Sequence, residues 1–339
     1  MPLGFIYGRV ALARRRWYAV RPHLRRRLGR PVISVGNITV GGTGKTPVVA
    51  HLASVLIGMG ERPSILSRGY ARRDAADGVV MVSDGRNIRA DLPRAGDEPL
   101  MLARNVPGAI VAVAPDRHLA GRLAEVRFGS SVHVLDDGFQ HYRLERDVDL
   151  LVVDPADLAD LRLLPSGRLR EPLGAARLAD AALTRAATVA EAEETAERLG
   201  VSRAFRVVRS AEPPRLIEPA GRVVTPAAGT RVLAVAGIAR PARFFAELRE
   251  AGWVVSGERA YPDHHRYTAG DIARIVKAAK DARAVMVLTT EKDLMRLLPL
   301  RPLPIPLAWV PLKITIEPAA GFRTWLGGRL AAARAARGH

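Results

Sequence analysis

The 339-residue sequence contains no cysteine. Disulfides and thiolate metal centres are therefore excluded, and the composition suits a reducing compartment. Aromatic residues make up only 5% of the chain, and no interleaved stacking platform of the kind single-strand nucleic-acid binders use is present. Lysine is limited to Lys45, Lys277, Lys280, Lys292 and Lys313, so the net charge of +18 is carried almost entirely by arginine. Acidic side chains are missing from the first sixty positions, where Arg9, Arg14, Arg15, Arg16, Arg21, Arg25, Arg26, Arg27 and Arg30 crowd together. No internal repeat or low-complexity segment stands out.

So one-sided a charge block points to an anionic surface, either lipid headgroups or nucleic acid. The N-terminal stretch mixes Leu3, Phe5, Ile6, Val10 and Leu12 with Trp17 and Tyr18. Arg9 interrupts its apolar run well short of the roughly 20 residues a membrane span needs. Signal-peptide order is absent, because the arginines follow the apolar residues and no small-residue cleavage site closes the run. An interfacial basic amphipathic helix over residues 1–28 is expected, with a packed helix presenting a solvated basic face as the plainer alternative.

The length allows two domains, and the spread of strand-like and helix-like runs gives an α/β class. Pro31 to Val35 reads as a buried strand that breaks at Gly41-Gly42-Thr43-Gly44-Lys45-Thr46. Helical spacing resumes through Val48, Val49 and Leu52. A strand, a glycine-rich loop and a helix in that order cradle phosphate with inward-turned N–H groups and the positive end of the helix dipole. Lys45 then reaches the outer phosphates and the Thr46 hydroxyl suits Mg²⁺. Two departures matter: Thr39 stands where the usual pattern has glycine, and Val40 stands where partition-type ATPases carry a second lysine.

Further along, Val132 to Leu135 forms an apolar strand ending in Asp136-Asp137-Gly138-Phe139-Gln140-His141. An apolar strand closing on aspartate is how a P-loop fold holds Mg²⁺ opposite Thr46. Arg68 and Tyr70 follow another buried strand, at the end of an open sheet where ligands bind. In Gly96-Asp97-Glu98-Pro99, Asp97 reads by pattern alone as a helix N-cap. The loop Leu163 to Pro172 is arginine-rich and either clamps phosphate, through Arg170 beside Glu171, or is solvated. Residues 29–203 are read as a P-loop core and residues 204–228 as a two-stranded hairpin linker. A smaller α/β domain over 229–316 and a C-terminal helix over 317–339 complete the chain. Within the smaller domain Asp263 precedes adjacent His264 and His265, which point to opposite sides and make a poor metal pair.

Taken together, these residues resemble the tetraacyldisaccharide 4'-kinase (lipid A 4'-kinase) family. The resemblance is carried by Gly36 to Pro47, Ser67 to Tyr70, Gly96 to Pro99, Leu135 to His141, Leu169 to Pro172, Ala236 to Phe245, Pro262 to His265 and Thr290 to Asp293, all in order. The AGI loop departs from the family pattern at Ala239. The resemblance implies ATP-dependent phosphorylation of the 4'-hydroxyl of an acylated glucosamine disaccharide 1-phosphate at the cytoplasmic face of the inner membrane. It implies two α/β domains joined by a hairpin, with ATP and Mg²⁺ as cofactors. It makes Asp97 the catalytic base with His264 in support and Lys45 on the triphosphate. Glu98, Gln140, His141, Arg170 and Glu171 become weaker substrate or phosphate contacts, with Arg68 and Tyr70 on the acceptor side. A monomer that binds no nucleic acid is expected. The alternative is a partition-type or metallochaperone-like regulatory ATPase, which the missing lysine at Val40 disfavours.

Overall fold

The structure is a computed structural model that describes residues 2–42, 44–69, 78–218, 220–225, 227 and 229–338. Two sequence-derived site residues, Thr43 and Tyr70, lie outside the described residues. In chain order the strands are β1 (Val32–Gly36), β2 (Pro63–Ser67), β3 (Val80–Asp84), β4 (Ile110–Val113), β5 (Val132–Asp136), β6 (Val148–Val153), β7 (Ala181–Thr184), β8 (Ala204–Ala211), β9 (Arg215–Leu216), β10 (Arg231–Ala236), β11 (Val254–Ala260), β12 (Met286–Thr290), β13 (Leu307–Val310) and β14 (Leu312–Glu317). The helices are α1 (Pro2–Ala19), α2 (Lys45–Gly58), α3 (Leu92–Ala95), α4 (Asp97–Asn105), α5 (Arg117–Phe128), α6 (Val189–Leu199), α7 (Pro241–Glu250), α8 (Ala269–Asp281), α9 (Glu291–Leu297) and α10 (Ala319–Ala335).

The chain divides into two compact units. The larger comprises Met1–Ala95, Leu102–Arg209 and Ile314–His339, and the smaller comprises Gly96–Met101 and Ser210–Lys313. The larger unit is built on a nine-stranded sheet in the order β14-β8-β7-β6-β1-β5-β2-β4-β3. β1, β2, β5 and β6 are buried along almost their whole length, as the continuous apolar runs of a parallel sheet covered on both faces require. β1 pairs in parallel with both β5 and β6. The chain leaves β1 towards β2 on one side and leaves β5 towards β6 on the other, so the strand order reverses at the β1/β5 pair. In an open α/β sheet the carboxyl ends at such a reversal form the natural ligand crevice.

α2 packs Val48, Val49, Leu52, Ala53 and Leu56 inward, a one-sided stripe at helical spacing. α10 closes the unit: Phe322 meets Phe205 edge-on with ring centroids 5.0 Å apart, and Arg334 pairs with Glu61 at 2.7 Å. The smaller unit holds a five-stranded sheet in the order β11-β10-β12-β13-β9, parallel except for the β13/β9 pair. Its core gathers Phe244, Phe245, Leu248 and Trp253 against β10 and β12.

Within residues 204–228 Arg215 bridges Val223 in antiparallel fashion, with Leu216 N–H donating to Arg222 O and Val224 N–H to Pro214 O, both at 2.7 Å. Residues 204–211 are β8, paired in parallel with β7, and 215–216 are an edge strand of the smaller sheet. The unit boundaries fall inside β8 and β14, neighbours at the edge of the larger sheet. Alternating short strands and prolines look the same in sequence whether they pair locally or extend existing sheets. The C-terminal helix belongs to the larger unit, and Gly96–Met101 belongs to the smaller.

α1 turns its amphipathicity inside out. Gly4, Tyr7, Gly8, Ala11, Arg15 and Tyr18 form the less exposed stripe, at helical spacing, while Leu3, Phe5, Ile6, Val10 and Trp17 are each at least half exposed. The glycines permit the close seat: a Cβ on Gly8 would lie 2.6 Å from Leu163 Cδ1. No helix among the described residues is long and apolar enough to cross a membrane.

Candidate active site

The sequence-derived residues gather into two clusters, one in each unit. In the larger unit the loop between β1 and α2 turns at Gly41 (φ +108°) and Gly44 (φ +82°), conformations that favour glycine. The Leu163–Pro172 segment supports it from the side. Val40 N–H donates to Arg168 O at 2.7 Å, and Arg170 N–H donates to Ile38 O at 2.7 Å. The Arg168 guanidinium donates to Val40 O at 2.8 Å and pairs with Asp157 at 2.6 Å. A Cβ on Gly41 would lie 2.6 Å from that guanidinium, so only glycine allows both the turn and the clamp.

Lys45, at the start of α2, donates to Asn37 Oδ1 at 3.1 Å and lies 3.4 Å from Asp137. Asp137 is reached from the β5 end of the strand pair and itself takes φ +56°. Its carboxylate pairs with Arg170 at 2.8 Å. Burial works against its charge, but Lys45 and Arg170 outweigh burial and hold the carboxyl below its ordinary range. Asp136 is buried at the strand end, and Thr46 is half-buried in the first turn of α2. Gln140 donates to Asn37 O and to Glu171 Oε1, both at 2.9 Å.

Glu171, 1% exposed, faces inward to Arg15 of α1 at 2.6 Å. Arg15 also stacks over the rings of Phe139 and Tyr142, at 4.6 and 4.9 Å. Arg15 is thus joined by an ion pair to the Leu163–Pro172 loop, as Arg26 is to Asp116 after β4 at 2.6 Å, contacts that the run of arginines in sequence does not reveal. Burial, with Arg117 and Arg146 adding to it, pushes the His141 imidazole down to about 4, so it is neutral near pH 7. Arg68 is exposed and lies close enough to the buried Arg117 to lower that guanidinium's proton affinity, a smaller effect than burial itself.

The second cluster joins segments far apart in sequence. Gly96, at φ +84°, turns the chain into α4, whose first residue is Asp97. Asp97 Oδ1 accepts from Glu98 N–H at 3.0 Å, while Oδ2 lies 3.0 Å from His264 Nδ1 and 3.5 Å from Arg296 Nε. Asp97 is 4% exposed. Burial raises its pKa, but His264, Lys292 and Arg296 more than reverse this, and the carboxyl stays below its ordinary value. Lys292 contacts Glu98 at 3.0 Å, Asp263 at 3.2 Å and His264 Nε2 at 3.1 Å. His265 turns away to stack on Tyr261 at 4.6 Å, as expected for adjacent histidines.

Behind them Asp293, fully buried, accepts from Gly237 N–H at 3.0 Å, Tyr267 OH at 2.9 Å and Thr290 Oγ1 at 2.6 Å, and pairs with Arg296 at 3.1 Å. Arg296 donates onward to Gly237 O at 3.0 Å and His265 O at 3.1 Å. This single carboxylate–guanidinium pair ties the 236–238, 262–265 and 290–293 loops together. The sequence by itself assigns no role to Lys292 or Arg296. The available signal was the retention of a lysine in a motif-like loop of an arginine-dominated chain.

A family model described as tetraacyldisaccharide-1-P 4'-kinase matches residues 1–331. Relatives named tetraacyldisaccharide 4'-kinase include one from Syntrophus aciditrophicus (strain SB), 42% identical over 312 residues, covering 87% of this chain and 83% of its own. Another, from Pelobacter propionicus, is 41% identical over 304 residues, covering 89% and 83%. Among solved structures, the "apo" form LpxK from Aquifex aeolicus in complex with ATP is similar with a TM-score of 0.78 and 31% identity. The match covers 97% of this chain and 98% of that one.

Proposed function

The chain belongs to the tetraacyldisaccharide-1-P 4'-kinase family, and from that membership we propose that it phosphorylates the 4'-hydroxyl of tetraacyldisaccharide 1-phosphate with ATP, in lipid A biosynthesis. The observation that carries the reading is the meeting of Lys45 with Asp137 and Arg170 at the β1/β5 reversal, beside a glycine-turned loop. Neither the family match nor the named relatives favour a regulatory ATPase.

In the reaction the sugar oxygen forms a bond to the γ-phosphorus, the bond from that phosphorus to its bridging oxygen breaks, and ADP leaves. Such a transfer asks for in-line positioning and for stabilisation of charge on the moving group. Lys45 and the N–H groups of the 41–46 loop are assigned to the triphosphate, with Arg170 next to them. Asp97 is assigned the hydroxyl proton. An aliphatic hydroxyl is a far weaker acid than any carboxylic acid, so Asp97 orients the nucleophile first and takes its proton late. Its depressed pKa keeps it ionised and ready near pH 7.

Mg²⁺ fits the donors present. Thr46, Asp136 and Asp137 offer only oxygen, as a hard cation prefers. No group of three His, Asp or Glu able to hold a metal occurs among the described residues. That suits Mg²⁺, which takes one or two carboxylates and completes its shell with phosphate oxygens and water. When bound, the ion neutralises charge on the β- and γ-phosphate oxygens.

The exposed Leu3, Phe5, Ile6, Val10 and Trp17 of α1, flanked by Arg9, Arg14 and Arg16, support peripheral attachment to an anionic membrane surface, at the cytoplasmic face of the inner membrane. The direct test is transfer of labelled γ-phosphate from ATP to an acylated glucosamine disaccharide 1-phosphate. Asp97→Ala is expected to keep ATP binding and lose turnover by about 10²-fold or more; wild-type turnover would remove Asp97 from the mechanism. Lys45→Ala is expected to weaken both nucleotide affinity and rate, and an unchanged rate would place the phosphates elsewhere.

A further inference from the structure

Lys292 stands where the loops of the smaller unit converge. An ammonium has three N–H donors. Three acceptors lie within reach of this one: Glu98 Oε1 at 3.0 Å, Asp263 Oδ1 at 3.2 Å and His264 Nε2 at 3.1 Å. Burial disfavours the charge, but Glu98, Asp97 and Asp263 outweigh it, and the proton affinity of Lys292 is raised. The side chain is therefore an ammonium throughout the working pH range.

An ammonium has no lone pair, so the contact with His264 Nε2 requires the imidazole to supply one. A neutral imidazole with a lone pair at Nε2 carries its single ring proton at Nδ1. That nitrogen lies 3.0 Å from Asp97 Oδ2. The ring is placed by a backbone held at φ +58°, a conformation non-glycine residues rarely take and one that concentrates at functional positions. Asp263 stabilises that turn by accepting from His264 N–H at 2.9 Å, while its carboxylate also contacts the ammonium.

We propose that Lys292 is a positioning residue for phosphoryl transfer, holding His264 as the neutral Nδ1–H tautomer that donates to Asp97. The proposal rests on the reading of Asp97 as the base. It leaves the hydroxyl proton to Asp97 itself: Oδ2 accepts from His264 Nδ1–H and Oδ1 from Glu98 N–H, and each oxygen keeps a second lone pair that can take it. His264 Nδ1 already bears a proton and cannot receive this one from Asp97. The proton returns to solvent from Asp97 after the product leaves.

The test uses the full chain with ¹⁵N-labelled histidine, assigning His264 by its loss in His264→Asn. Wild type is expected to show the Nδ1–H tautomer pattern, Lys292→Met to lose it, and Lys292→Gln, whose amide still donates to Nε2, to keep it. In turnover assays Lys292→Met is expected to lower kcat about tenfold or more with the KM for ATP unchanged, and Lys292→Gln to recover most of the loss. An Nε2–H pattern in wild type, or an unchanged pattern in Lys292→Met, overturns the tautomer assignment. Wild-type kcat in Lys292→Met, with Asp97→Ala impaired alongside it, overturns the role of Lys292 alone. Wild-type turnover in Asp97→Ala removes the base reading and the catalytic part of this proposal with it.

Discussion

Replacing Arg15 by methionine should damage the larger unit from a distance. The change keeps an apolar stem of similar reach but strands Glu171, which is 1% exposed and keeps Gln140 as a donor. Breaking one side of a buried ion pair costs about 3–5 kcal/mol. Losing a guanidinium from over the Phe139 and Tyr142 rings adds about 0.5–1 kcal/mol. Gln140 and local rearrangement offset part of this, leaving a net loss of about 3 kcal/mol. For a unit of this size that is a fall in melting temperature of about 6–12 °C. The assay is a thermal melt of the full chain followed by circular dichroism, run on Arg15→Met, Glu171→Leu and the double variant. The double variant removes both charges and should melt above Arg15→Met, because an apolar pair replaces a stranded carboxylate. If Arg15→Met melts like wild type, or the double variant is no better than the single, the pair is not what seats α1.

The same orientation of α1 separates stability from membrane attachment, so Arg15→Met should leave binding to anionic vesicles unchanged. Leu3→Gln, Phe5→Gln and Val10→Gln together should weaken it about a hundredfold in co-sedimentation, at about 1 kcal/mol for each exposed side chain. His141 should titrate in NMR with a midpoint near 4 rather than near 6.5. Between those values the unfolded chain binds the proton and the folded chain does not. Its contribution to stability is therefore complete above about pH 6.5 and declines as pH falls towards 4.

The β1–loop–α2 element was legible because each of its signals is local: a continuous apolar strand, glycines where φ turns positive, and apolar spacing that switches period at Lys45. The strand-end aspartates were legible for the same reason, although which of the two meets Lys45 was not. That choice depends on Asp137 taking φ +56°, a consequence of how residues 138–139 fold back on β1. A Cβ on Gly36 would lie 2.4 Å from Phe139 Cβ, so the return is that close. The contact of Asp97 with His264 spans 167 positions and no spacing rule reports it. Pattern alone made Asp97 a helix cap; in the fold one oxygen does accept from the adjacent Glu98 N–H, and the other faces the imidazole. The pairing of residues 204–228 is less legible, because the sheets that β8 and β9 join are chosen by neighbours remote in sequence.

The seating of α1 also governs how the purified molecule behaves. A helix that meets its own protein through glycine, alanine, tyrosine and one arginine leaves its bulkiest oily side chains facing water when no bilayer is nearby. Away from lipid, those side chains will seek detergent or one another, so self-association in plain buffer should be relieved by a mild amphiphile without any change in the folded core.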